Sequence, residues 1–275
     1  MPFYLQPILI FYWTIFFFFF AAPARRSVVR NLAVVLRGSS RLTNHLRAFR
    51  TLLRFAQTIA DAANYRVRQV EFDYEIEGAD YLEQLARADG AILLTAHMGS
   101  YDLGAALFAR KFGRAIRMVR APEPHPESAQ HLTNFVAETG GGAVKIAYNT
   151  DGALLAFDLL QALRSGEIVS IQGDRVTAGV AQIESRMFGV RVNVPSGPFT
   201  LALVAEKLIF PLFIVRAGHY RYRIIVREPI GVSRAEPRDE AIATAAAKWC
   251  NVLETIVAKH RNQWFAFVPI FSADE

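Results

Sequence analysis

A histidine closes a short apolar run, and a carboxylate follows five positions later: AILLTA, then HMGSYD, with His97 and Asp102 as the reactive pair. An imidazole oriented by a carboxylate can act as a general base. The carboxylate fixes the tautomer and supports the ring once it is charged. The spacing places Asp102 in the first turn of a following helix, with Ser100 as its cap. From there the loop can fold the carboxylate back onto one ring nitrogen. A helix N-terminus also favours a carboxylate, and backbone N–H groups near Gly99 can face an oxyanion. An H-x4-D pair on its own is unspecific, because an aspartate is also a common helix cap. No G-x-S-x-G elbow is present, so the chain supplies no serine nucleophile of that type. His125 and His131 lack a metal-ligand spacing, and neither a metal nor a cofactor is expected. The glycine-rich ETGGGAV follows a helix and precedes a strand. That is the wrong order for a phosphate cradle, and it reads as a helix stop.

The elements that must position this pair alternate. VEFDYEIEG reads as a strand, YLEQLARADG as a helix and AILLTA as a strand covered on both faces. Helices then alternate with the strands AIRMV, AVKIAY, EIVSIQ and IFPLFIVRAG. YRYRIIV lies antiparallel to the last of these, and a final helix covers 237–260. The fold class expected is α/β, a mainly parallel sheet flanked by helices. In such sheets ligands bind beyond the carboxyl ends of the strands. The residues there are His97 to Asp102, then Arg120, then Asn149 to Asp151, then Gly173, Asp174 and Arg175. Arginine suits phosphate and carboxylate groups through its planar fork.

The remaining segment is N-terminal. Residues 1–24 carry no charged side chain, and Phe3 to Ala22 approaches the ~20 residues a membrane-spanning helix needs. A segment lying in one leaflet is the rival reading. A cleaved signal is disfavoured, because the arginines follow the apolar run instead of preceding it. Arg25, Arg26, Arg30, Arg37, Arg41, Arg47, Arg50 and Arg54 come before any acidic residue, the first being Asp61. Apolar residues recur among them at helical spacing. Residues 26–62 therefore read as one or two amphipathic helices, broken at RGSSR with Ser40 or Thr43 as cap. Basic helices after an apolar anchor suit the cytoplasmic face of a membrane with anionic headgroups. The organisation expected is a membrane anchor over 1–24, basic helices over 25–66 and an α/β domain over 67–275. The net charge of +6 agrees with an acidic partner, and no nucleic-acid motif is present. The single Cys250 permits no internal disulfide.

Several blocks together resemble a known family. AHMGSYDLG is similar to the H-x4-[D/E] block of the lysophospholipid acyltransferase superfamily. RMVRAPEP, LRSGEIVSIQGDR, MFGVRVNVPSGPFTLALVAEKLIFPLFIVR and the Gln263–Trp264 tail resemble, in order, blocks of the bacterial lipid A biosynthesis (lauroyl/myristoyl) acyltransferases. The resemblance implies transfer of an acyl chain from an acyl thioester, on acyl carrier protein or CoA, to a lipid or glycolipid acceptor at the bacterial inner membrane. His97 and Asp102 would be catalytic, with Gly99, Arg120, Asp174 and Arg175 binding substrate. Phe188, Val194, Phe199 and Leu203 are candidates to line the acyl groove. The spelling departs from the family's common His-x-Gly-Asn-Trp-Glu. Phe265, Phe267 and Phe271 stand where an arginine pair is usual. Lysophospholipid, aminolipid and secondary-metabolite acceptors stay open, as does a lipid-binding role without catalysis.

Overall fold

The computed structural model describes residues 5–122, 126–150 and 152–271; Pro124, His125 and Asp151 lie outside them. The chain begins with three helices, α1 (Gln6–Phe20), α2 (Ala22–Val35) and α3 (Arg41–Arg68). The break expected at RGSSR is present, and Ser40 caps α3 by accepting a bond from the Thr43 amide at 3.2 Å. α1 is bent 89° from α2, and no single helix among the described residues is long and apolar enough to cross a membrane. Residues 6–35 form a bent pair of helices, not one straight span. α1 runs back along α3. Gln6 accepts a bond from Asn64 at 2.9 Å, and Phe11 and Phe18 meet Phe49 edge-on at 5.7 and 5.6 Å. Its outer face leaves Tyr12, Trp13, Phe16, Phe19 and Phe20 exposed.

Asp61, the first acid of the chain, is buried on α3. It accepts bonds from Arg216 Nε at 2.7 Å and the Tyr222 hydroxyl at 2.9 Å. A buried charge persists where it is paired and hydrogen-bonded, so this pair ties the basic helices to the sheet.

The body contains β1 (Asp73–Glu77), α4 (Ala79–Arg87), β2 (Ala91–Thr95), α5 (Tyr101–Phe112), β3 (Ile116–Arg120), α6 (Pro126–Thr139), β4 (Val144–Tyr148), α7 (Gly152–Arg164) and β5 (Ile168–Gln172). A hairpin of β6 (Gln182–Met187) and β7 (Val190–Pro195) follows. The chain continues through α8 (Gly197–Ala205), β8 (Ile209–Gly218), β9 (Arg221–Val226) and α9 (Arg238–His260). The sheet order is β1-β9-β8-β2-β5-β3-β4. From β8 to β4 every pairing is parallel, and β9 runs antiparallel to β8, as its sequence suggested. β2 is buried throughout, which explains its unbroken apolar spelling. One face of the sheet packs on α7, α8 and α9 around Trp249, Leu253 and Phe213. The other packs on α4, α5 and α6 around Leu85, Leu103 and Phe108.

Candidate active site

Because β2, β5, β3 and β4 are neighbours, the loops at their carboxyl ends meet. His97 and Arg120 line one cleft of about 870 Å³ together with Asn149, Gln172, Arg175 and Thr177. The clustering expected from the strand-end rule is therefore present for those residues.

The carboxylate that holds His97 is Asp174, where the sequence pointed to Asp102. Asp174 Oδ1 lies 2.7 Å from His97 Nδ1. Its Oδ2 accepts bonds from the His97 backbone amide at 3.1 Å and from Trp264 Nε1 at 2.9 Å. Asp174 is 1% exposed. Burial alone would raise its pKa. The facing His97 and the bonds from the imidazole, the indole and the amide outweigh that, and the carboxyl lies below its ordinary value. With Nδ1 turned to Asp174, Nε2 is the ring nitrogen left for a substrate proton.

Asp102 does lie in the first turn of α5, but it pairs with Arg120 on β3. The reason is topological. Arg120 ends a strand on the side of the sheet that α5 covers, and a guanidinium there attracts the carboxylate more strongly than a ring already bonded to Asp174. Ser100 occupies the N-cap position of α5 without making the expected side-chain cap. Gly99 has a more specific duty than the sequence suggested. Its φ is +53°, and a Cβ there would sit 1.8 Å from the Ile214 carbonyl oxygen, so only glycine lets the His97 loop press against β8. Arg175 lines the cleft and has no ion pair among the described residues, so its guanidinium is available to an anion.

Three supporting residues are not evident from their own neighbourhoods. Trp264 holds Asp174 from the C-terminal tail, where the Phe265 amide also donates to the His97 carbonyl at 2.8 Å. Trp249 of α9 donates to the Gly173 carbonyl at 2.9 Å and braces the loop from behind. Tyr101 stands beside His97 with ring centres 5.8 Å apart, under the Arg120 guanidinium. Burial pushes its hydroxyl up to about 12, with Asp102 adding to the rise, so it stays a neutral phenol. The Gln263–Trp264 pair did carry a signal, as part of the family's tail. Gln263 clamps both backbone groups of Arg216, at 2.7 and 3.0 Å.

A second, narrower cavity of about 90 Å³ lies between α5 and the sheet. Leu93, Phe108, Met118 and Ile214 are among the residues that line it, and it meets the cleft at Tyr101, Arg120 and Gln172. None of the four residues expected to line an acyl groove faces either cavity. Val194 and Phe199 are fully buried core on the α9 side of the sheet, and Phe188 turns the β6–β7 hairpin. Phe265 and Phe267, two of the three phenylalanines in the arginine positions, pack on Phe55 of α3 at 5.1 and 5.0 Å.

In a mostly parallel α/β sheet, a carboxylate-held histidine at the strand ends stands where ligands bind, and its imidazole can accept a proton. Residues 12–272 match the family described as bacterial lipid A biosynthesis acyltransferase, and the chain belongs to that family. No curated protein matches it. Membership supports an acyltransferase activity of the lipid A type.

Proposed function

We propose that the protein transfers a fatty acyl chain from an acyl thioester, on acyl carrier protein or CoA, to a hydroxyl of a lipid or glycolipid acceptor. The observation that carries this reading is the His97–Asp174–Trp264 chain of hydrogen bonds at the edge of the cleft. His97 Nε2 takes the acceptor proton as the hydroxyl oxygen attacks the thioester carbon. The carbon–oxygen bond forms, and the carbonyl electron pair moves onto oxygen. Collapse of that intermediate breaks the carbon–sulfur bond, and the imidazolium returns its proton to the leaving thiolate. The buried negative charge of Asp174 favours the imidazolium in between. The cleft, with Leu155, Leu160, Leu201 and Val204 on its apolar wall, has room for the acyl chain beside acceptor and carrier arm, while the cavity of about 90 Å³ under α5 takes a few methylene groups at most. Arg175, with Arg238 at the rim, offers guanidinium groups to phosphate or another anionic group of either substrate.

The test is an incubation of the purified full chain with dodecanoyl-CoA or dodecanoyl–acyl carrier protein and total bacterial lipid, read by mass spectrometry. One lipid class should gain a dodecanoyl group, with one thiol released per acyl moved. Thioester consumption with no acylated lipid would exclude the transfer.

In the same reading residues 1–24 are a membrane anchor at the cytoplasmic face of the inner membrane, residues 25–66 bring basic helices to anionic headgroups, and residues 67–275 carry the catalysis. The exposed aromatic face of α1 supports an anchor lying within one leaflet, since patches of this kind mark membrane or partner surfaces. Changing Trp13, Phe16 and Phe20 together to serine should shift the protein from pelleted to soluble with anionic vesicles at high salt. Unchanged pelleting would place the anchor elsewhere.

A further inference from the structure

Gln172 ends β5 and pairs in register with Thr95, the last residue of β2, two positions before His97. Two positions after Gln172 comes Asp174, which holds the His97 ring. Gln172 lines both cavities, so it stands at their junction. Its Nε2 is buried and has no hydrogen-bond partner among the described residues. The Tyr101 hydroxyl is near enough for the amide to favour its ionised form, yet no aligned bond joins them. A buried amide donor without a partner is costly, and such orphans are rare in folded proteins. One that faces the meeting point of an apolar slot and a base-bearing cleft has a use when a substrate fills the junction.

An acyl chain that runs along the cleft with its carboxyl carbon at His97 brings its carbonyl to the wall that Gln172 shares with His97. The only strong acceptor such a chain carries is its carbonyl oxygen. We infer that the Gln172 side-chain amide donates a hydrogen bond to the thioester carbonyl oxygen and holds the oxyanion that forms on it. This rests on the acyl-transfer reading above and adds a catalytic residue to it. The bond strengthens as charge develops on the oxygen, so it acts on the transition state more than on the bound substrate. A neutral amide suits this task better than an arginine, because it does not bind the carrier's phosphates in competition.

The experiment compares wild type with Gln172→Leu and Gln172→Glu, the second matching in size but unable to donate when ionised. Steady-state transfer from dodecanoyl-CoA and dodecanoyl–acyl carrier protein to total bacterial lipid is measured beside thermal melting. The expected result is a fall in kcat of about 10²–10³-fold in both variants, the usual effect of losing one oxyanion donor. KM should stay within about threefold, as for an interaction made only in the transition state. The melting temperature of Gln172→Leu should hold or rise, because an unpaired buried donor has been removed. Unchanged kcat, a loss expressed only in KM, or a collapse in melting temperature of Gln172→Leu would each overturn the inference. His97→Ala is run in parallel. Full activity there refutes the acyl-transfer mechanism itself, whereas a slow His97→Ala beside a fast Gln172→Leu refutes only the role of Gln172.

Discussion

Replacing His97 by alanine is expected to lower acyl transfer by about 10³–10⁴-fold, toward the top of the range for losing a general base. The effect falls on kcat, because the cleft and the slot keep their other walls. The protein stays folded. Asp174 keeps two of its three bonds, from the Trp264 indole and from the backbone amide of residue 97, which any residue supplies. The lost ring bond costs about 1–3 kcal/mol. At about 2–4 °C per kcal/mol for a chain of this size class, melting falls by several degrees. Activity within tenfold of wild type in a folded variant would remove His97 from the mechanism.

The second large effect is at Asp174. An asparagine there has one oxygen to serve three donors. Two of these, the Trp264 indole and the His97 amide, converge on Oδ2, and only the ring faces Oδ1. The cheaper placement leaves the amide oxygen with the pair and turns the NH2 toward His97 Nδ1. Nδ1 must then accept, which moves the ring proton to Nε2 and disables the base. Asp174→Asn should therefore reduce kcat by about 10³–10⁴-fold, the size seen where an asparagine imposes the wrong tautomer on a catalytic histidine. Its stability cost at neutral pH stays near 1 kcal/mol, because most bonds survive. Asp102→Asn should be milder and of a different kind. It loosens Arg120 and raises KM, leaving the His97 ring in place. Equal kcat losses in the two variants would contradict the pairing.

The Asp174 carboxyl also sets a pH limit. Its folded pKa lies below the ordinary value, so the stability it contributes is present above the unfolded pKa of about 3.9. That contribution is lost as pH falls through the lower folded value. Wild type and Asp174→Asn should thus differ in melting temperature at neutral pH and converge in strong acid.

The strand ends that bear His97, Arg120 and Arg175 were legible in the sequence, because apolar runs and glycine stops mark parallel strands plainly. The partner of His97 was not. Asp102 is close in sequence, whereas Asp174 lies 77 positions away. It reaches the ring only because β5 inserts between β2 and β3, and strand order is invisible to periodicity. The β6–β7 hairpin was hidden for a different reason. Its two-residue turn is Phe188–Gly189, both at positive φ, and phenylalanine in that region replaces the usual Asn-Gly signal. The bend between α1 and α2 was equally obscure, since apolar length alone does not tell a straight span from a helix folded back on α3.

The pairing of His97 with Asp174 is tested most directly by the tautomer of His97, read by ¹⁵N NMR of histidine-labelled protein near pH 8. A proton on Nδ1 and a bare Nε2 are expected in wild type and in Asp102→Asn, and the reverse in Asp174→Asn. A His97 signal that changes with Asp102→Asn and ignores Asp174→Asn would contradict that pairing.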